Sequence, residues 1–227
     1  MNKPKLILLP GLDGTGLLFK PLTDILPSEI NYQVIPLSSL LSDEPAAQAK
    51  EIARLLGNEP CILFAESYSG LIAYELCRQQ QADIKHVIFA ASFLDKPSAV
   101  SRFAALLPLW PIRRKLVPAG FMNRLLFGNT DRKNLLPLFY SAFDIADPAA
   151  LKARLQRISK LEPPAGLIHQ PCTYICAADD WLVSKNALTD FKRLCTQLDI
   201  APVNGGHLVA QGQPDKCVAI IQDIYSL

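Results

Sequence analysis

The chain has 227 residues, half of them apolar, with 23 Lys and Arg against 21 Asp and Glu for a formal net charge of +2. That length supports one large domain with a sizeable core, and that balance excludes a disordered chain and a strongly basic nucleic-acid binder; no apolar run approaches the roughly 20 residues of a transmembrane segment. The six cysteines match no zinc-ligand spacing and four sit inside apolar runs, so reduced thiols in a cytoplasmic protein are expected.

In the first part of the chain, strand-like and helix-like segments alternate. The start "MNKPKLILLPG" has the outline of an export signal, but "LILLP" is too short for one and a glycine loop follows at once. Residues 5–9 therefore read as a first strand, followed by the loop "LPGLDGTG" and a helical stretch over 17–26. A second strand is expected over 32–37 and a helix over 43–57, with Pro45 near its start and Gly57 at its end. "CILFAE" at 61–66 is a third strand running into a helix, and "HVIFAAS" at 86–92 a fourth. These strands are continuous apolar runs, the signature of a parallel sheet covered on both faces by crossover helices.

The alternation stops between about Leu94 and Gly166, a stretch helical in character and broken by prolines. It resumes with a strand over 172–178, a helix over 184–197, a short strand over 199–203 and a closing helix from residue 213. The expectation is a single domain over 1–227 with residues 95–166 inserted as a helical cap or lid. From Lys96 to Lys133 this insertion carries eight Lys or Arg and one acid, Asp131. An ordinary solvated face over a hydrophobic seam accounts for that pattern; so does a greasy roof whose basic outside meets an anionic partner.

"FAESYSG" at 64–70 holds a serine where a buried strand turns into a helix. Ser67 can be a helix cap. It can also be a nucleophile, because such a turn lifts the hydroxyl above the C-terminal edge of the sheet and needs small neighbours, here Ala65 and Ser69 with Gly70 next. A base would have to be one of three histidines. His86 and His169 fall at the N-terminal ends of strands, whereas His207 in "NGGHLV" follows the last strand and stands on the same edge as Ser67. A carboxylate to orient it is offered by "AADDWLV", where Asp179 and Asp180 compete and the spacing to "WLVS" favours Asp180. Backbone N–H groups for a developing oxyanion would come from Tyr68 and, in "LPGLDGTG", from Leu12; that loop lacks the lysine and the spacing of a phosphate loop.

Taken together, "LPGLDGTG", "AESYSG", "AADDWLV" and "NGGH" make the whole chain resemble the α/β-hydrolase fold superfamily, of the esterase, lipase and thioesterase type. It departs from the usual pattern in Pro10–Gly11 at the oxyanion loop and in Ala65 and Ser69 where glycines flank the nucleophile. The resemblance implies a three-layer fold with a mostly parallel sheet of about six strands, lacking the first two strands of larger members. It also implies a Ser67–Asp180–His207 triad working through an acyl-enzyme, with no metal or organic cofactor. The expected activity is hydrolysis of a small carboxylic ester with an apolar acyl chain, seated among Phe103, Leu106, Leu107, Leu109, Trp110, Phe121 and Phe127. A thioesterase or acyltransferase docking an acidic acyl carrier protein or a coenzyme A thioester is the alternative. A non-catalytic binding protein of the same fold is a third reading, and peptidase activity stays open.

Overall fold

The computed structural model describes residues 3–97, 109–130 and 134–226. Six strands form one sheet: β1 (Lys5–Leu9), β2 (Tyr32–Val34), β3 (Cys61–Glu66), β4 (Ile84–Ala90), β5 (Cys172–Ala177) and β6 (Leu198–Val203). All neighbouring pairs run parallel, in the order β2-β1-β3-β4-β5-β6. Parallel pairing demands a crossover after every strand. Between consecutive strands stand α1 (Lys20–Thr23), α2 (Pro45–Leu56), α3 (Gly70–Gln79) and α8 (Ala187–Leu194), while α9 (Val209–Gly212) and α10 (Pro214–Tyr225) follow the last strand.

The pleat explains why the strands are apolar at every position. Alternate residues Ile7, Leu9, Leu63, Val87 and Phe89 face one cluster together with residues of α2, α3 and α8. Their neighbours Leu6, Leu8, Ile62, Phe64 and Ile88 face a second cluster built with α1, α9 and α10. Both faces are covered, which gives three layers.

Several element boundaries move for identifiable reasons. β2 stops at Val34 because Pro36 has no N–H to offer and a 3-10 turn begins at Leu37. The helical stretch over 17–26 breaks into a 3-10 turn, Leu17–Phe19, and the short α1, whose start is fixed by Pro21. β4 begins at Ile84, two residues earlier than the apolar run, because the exposed Lys85 hides its start.

Between β4 and β5 the described residues form four helices and no strand: α4 (Trp110–Arg113), α5 (Ala119–Phe127), α6 (Leu135–Ile145) and α7 (Pro148–Lys160). Asp147 caps α7 by accepting the Ala149 N–H at 3.0 Å, with Pro148 preorganising the first turn. α5 and α6 form their own apolar cluster, closed by Leu18 from the first loop and Leu208 from the last. This segment is therefore packed onto the two loops at the C-terminal edge of the sheet. All six cysteines are free thiols, five of them buried, and no described helix is long and apolar enough to cross a membrane.

Candidate active site

The order β2-β1-β3 reverses the winding of the sheet between β1 and β3, and the crevice beyond the C-terminal ends of those strands is where parallel sheets receive ligands. The loop after β1 and the turn after β3 meet there. Ser67, the first residue beyond β3, has φ of 50°, in the left-handed region. A non-glycine residue in that region costs on the order of 1–2 kcal/mol. The strain follows from turning an extended chain into a helix within one residue, and it sets the serine hydroxyl on the outside of the bend.

The residues around the bend show how this is accommodated. A Cβ on Gly70 would stand 2.8 Å from the Ser92 Cβ at the end of β4, so the obligatory glycine lies three residues after Ser67 and not two. Position 69 is not glycine because Ser69 Oγ donates to the Pro10 carbonyl, tying the bend to the loop after β1. That loop comes close: a Cβ on Gly11 would be 3.5 Å from the Ser67 Cβ. Leu12 and Tyr68 thus belong to two segments in contact beside Ser67.

His207 lies on the loop after β6. Its Nε2 is 2.8 Å from Ser67 Oγ and its Nδ1 is 2.8 Å from Asp180 Oδ2. With Nδ1–H donated to the carboxylate, Nε2 presents its lone pair to the serine hydroxyl, the arrangement a general base needs. Asp180 Oδ1 accepts the N–H groups of Leu182 at 2.8 Å and Val183 at 2.9 Å, so both oxygens are engaged. Burial pushes the Asp180 carboxyl up, but His207 and these two N–H groups outweigh it and hold the acid below its usual range. For His207, burial disfavours the imidazolium, yet the Asp180 carboxylate, with Glu66 behind it, raises its pKa above the ordinary 6.5. Asp179 turns away and faces the Arg124 guanidinium at 3.9 Å. His86 is buried against Thr173 Oγ1 at 2.8 Å and His169 is exposed ahead of β5, so neither approaches Ser67.

These contacts place a serine, an imidazole and a carboxylate in one line on a parallel sheet. Residues 6–220 match the family model described as "Alpha/beta hydrolase family". The chain belongs to the α/β hydrolase family. No curated protein matches its sequence. Among solved structures, it is similar to an esterase from Exiguobacterium antarcticum, with TM-score 0.80 and 12% identity over 99% of this chain and 92% of that one. It is similar to a thermophilic esterase from Thermogutta terrifontis, with TM-score 0.74 and 16% identity over 97% and 88%. It is also similar to the RedJ thioesterase of the prodiginine pathway in Streptomyces coelicolor, with TM-score 0.72 and 20% identity over 97% and 90%. At such identities the likeness concerns the fold.

As in a hydrolase fold generally, the working loops stand on a rigid sheet, but here the β4–β5 segment braces them. The N–H groups on either side of His207, from Gly206 and Leu208, donate to the carbonyls of Phe127 and Leu126 at the end of α5, at 2.9 and 2.8 Å. A Cβ on Gly206 would lie 2.4 Å from the Gly128 nitrogen. Gly206 of "NGGH" thus serves close approach to the end of α5, and Gly205 allows a φ of 132°. From α7, the buried Arg154 donates Nη1–H to the Leu12 carbonyl at 2.8 Å, and Arg157 donates to the Tyr68 hydroxyl at 2.9 Å while pairing with Glu44. Sequence patterns carry no trace of these arginines, since they act across 142 and 89 residues of chain.

Ser67 and His207 are each only 6% exposed. Of the apolar residues expected to seat an acyl chain, Phe103, Leu106 and Leu107 lie outside the described residues. Leu109 packs beside Leu12 against Phe143, Ala146 and Leu151. Phe127 is buried in the cluster shared by α5 and α6, where it acts as core. Trp110 and Phe121 are 61% and 52% exposed and face solvent, not an enclosed pocket.

Proposed function

We propose that the protein is a serine hydrolase that cleaves a carboxylic ester with an apolar acyl chain. The observation that carries this reading is the unbroken relay from Ser67 Oγ through His207 to Asp180, both links at 2.8 Å, starting from a strained serine. In the proposed reaction Ser67 Oγ attacks the acyl carbon as its proton passes to His207 Nε2. Asp180 stabilises the imidazolium, and the N–H groups of Leu12 and Tyr68 receive the oxyanion. His207 then protonates the leaving alkoxide, and a water that it deprotonates releases the acid from the acyl-enzyme. Residues 95–166 would cover the acyl chain; the near-complete burial of Ser67 is consistent with a covered site.

The test is hydrolysis of p-nitrophenyl esters from acetate to palmitate by wild type and Ser67→Ala. We expect turnover with a preferred chain length, and a loss of at least about 10³-fold in Ser67→Ala. An Ala variant as active as the parent would leave Ser67 a helix cap.

A thioester substrate on an acidic carrier is the second reading. It is favoured by residues 109–130, which carry Arg113, Arg114, Lys115 and Arg124 and no acid, and by the likeness to RedJ. It predicts that apparent affinity for a carrier-bound acyl group falls steeply with salt while that for a neutral ester does not.

A further inference from the structure

Glu66 precedes the proposed nucleophile and is fully buried, as is Gln211 on α9, four residues after His207. Gln211 Nε2–H donates to Glu66 Oε2 at 3.1 Å. The remaining polar atom of each side chain, Glu66 Oε1 and Gln211 Oε1, has no hydrogen-bond partner. Both are acceptors, and buried acceptors without donors are rare because each loses its water without replacement. Two orphans on the two halves of one pair have a common remedy. A single proton on Glu66 Oε1, donated to Gln211 Oε1, would close a planar ring of two hydrogen bonds between acid and amide.

We propose that Glu66 is held as the neutral acid in such a ring with Gln211, and that it is a positioning residue joining the nucleophile turn to the helix that follows the base. The assignment of this role rests on the reading of Ser67 and His207 as catalytic. The surroundings agree. From the loop after β1 comes Asp13, whose carboxylate accepts from the Thr15 N–H and hydroxyl. From the loop after β6 comes His207, from α9 Gln211, and from α10 the buried Cys217 thiol, itself pushed up by burial and by Glu66. Burial first, then the Asp13 charge, lift its carboxyl to about 7 against the pull of Gln211 and His207.

Ionisation of Glu66 would set a bare carboxylate oxygen against the Gln211 carbonyl and place a second negative charge behind His207. In the neutral form Asp180 alone governs the imidazolium. Two buried carboxyls near one histidine are thus separated: Asp180, held ionised by His207 and two N–H donors, and Glu66, kept neutral by burial and by the Gln211 carbonyl that its proton would meet.

The test uses Glu66→Gln, which replaces the acid O–H by an amide N–H and can form the same ring. The sign follows from linkage. A carboxyl whose folded pKa is raised contributes stability that is complete below its unfolded value and is lost as pH rises to the folded value. Wild type should therefore lose Tm relative to Glu66→Gln by roughly 5–10 °C between pH 4.5 and pH 8. The acid limb of the kcat/KM profile should keep its position in the variant, since a neutral Glu66 puts no charge behind His207 for the substitution to remove. A Tm difference that stays constant with pH, or a variant already less stable than wild type at pH 4.5, would overturn the acid–amide ring. An acid limb that moves to lower pH would reveal a charge behind His207 and overturn the neutral acid, and a Glu66→Ala variant that keeps kcat would overturn the positioning role, which expects a loss in kcat that Glu66→Gln rescues. The melting series reads no catalysis, so absence of ester turnover would count against the proposed reaction and leave the ring to be judged by Tm alone.

Discussion

Replacing Ser67 by glycine should yield a protein that is inactive yet more stable than the alanine variant, and the difference can be worked from one dihedral. Ser67 sits at φ 50°. Alanine there keeps the left-handed strain of about 1–2 kcal/mol, while glycine is relieved of it. Against this, glycine loses more backbone freedom on folding, about 0.5–1 kcal/mol. The Cβ by which the two variants differ faces the loop after β1, where a Cβ built on Gly11 would come 3.5 Å from it. The balance favours Ser67→Gly over Ser67→Ala by about 0.5–1 kcal/mol, or some 1–4 °C in Tm for a domain of this length. Both variants lose the 2.8 Å hydrogen bond to His207, so that contribution cancels between them. Ala73→Gly, in the buried face of α3, provides the reference: an unstrained helical site should lose about 1 kcal/mol of propensity on the same change, and about as much again for the buried methyl. Guanidinium unfolding of the four proteins, with equal m values, is the assay. If Ser67→Gly is less stable than Ser67→Ala, by an amount like that of the Ala73 reference, the turn is not strained and the argument for an elbow at Ser67 fails.

Asp180→Asn should leave the fold intact but lower kcat/KM by roughly 10³–10⁴-fold, because the amide favours the wrong histidine tautomer; wild type should show an acid limb above the ordinary histidine value, since base activity requires loss of a proton that Asp180 retains, and a limb below it would contradict the Asp180–His207 contact. Gly206→Ala forces a methyl against the Gly128 backbone, which should cost about 1–3 kcal/mol and at least tenfold in kcat as the base is displaced; unchanged melting and turnover would refute the tight approach. Arg154→Met removes the guanidinium from the Leu12 carbonyl and should lower kcat about tenfold with little change in KM, as expected for a group that positions an oxyanion donor; a change confined to KM would place Arg154 in substrate binding instead.

What the sequence disclosed depended on how local the cause was. β3 was legible to the residue because its apolar run is bounded by Pro60 before it and the Ser67 turn after it. The start of β4 was hidden by Lys85 at the sheet rim, and the four-residue α9 is too short to have a period at all. The candidate triad was legible by elimination: only one histidine of three falls at the C-terminal edge of the sheet. Between Asp179 and Asp180 the spacing to "WLVS" favoured Asp180, and the reason is visible only in three dimensions: Asp180 crosses to His207 while Asp179 faces Arg124. Glu66 left one local signal, a carboxylate at the end of a buried strand, but its partner Gln211 is 145 residues away. The same holds for Arg154, whose burial no helical pattern would announce.

The contacts between the β4–β5 segment and the sheet edge limit how substrate can enter a site whose serine and histidine are nearly buried. If α5 swung away, the N–H groups of Gly206 and Leu208 would lose their acceptors and His207 its register. If α7 swung away, the Leu12 carbonyl and the Tyr68 hydroxyl would lose Arg154 and Arg157. An opening that moved these helices as one rigid lid would take apart the machinery it admits substrate to. Access that preserves the relay has to leave the end of α5 and the middle of α7 in place. If the β4–β5 segment covers the substrate as proposed, it also holds His207 and the loop after β1, so substitutions at these braces should alter kcat and not only KM.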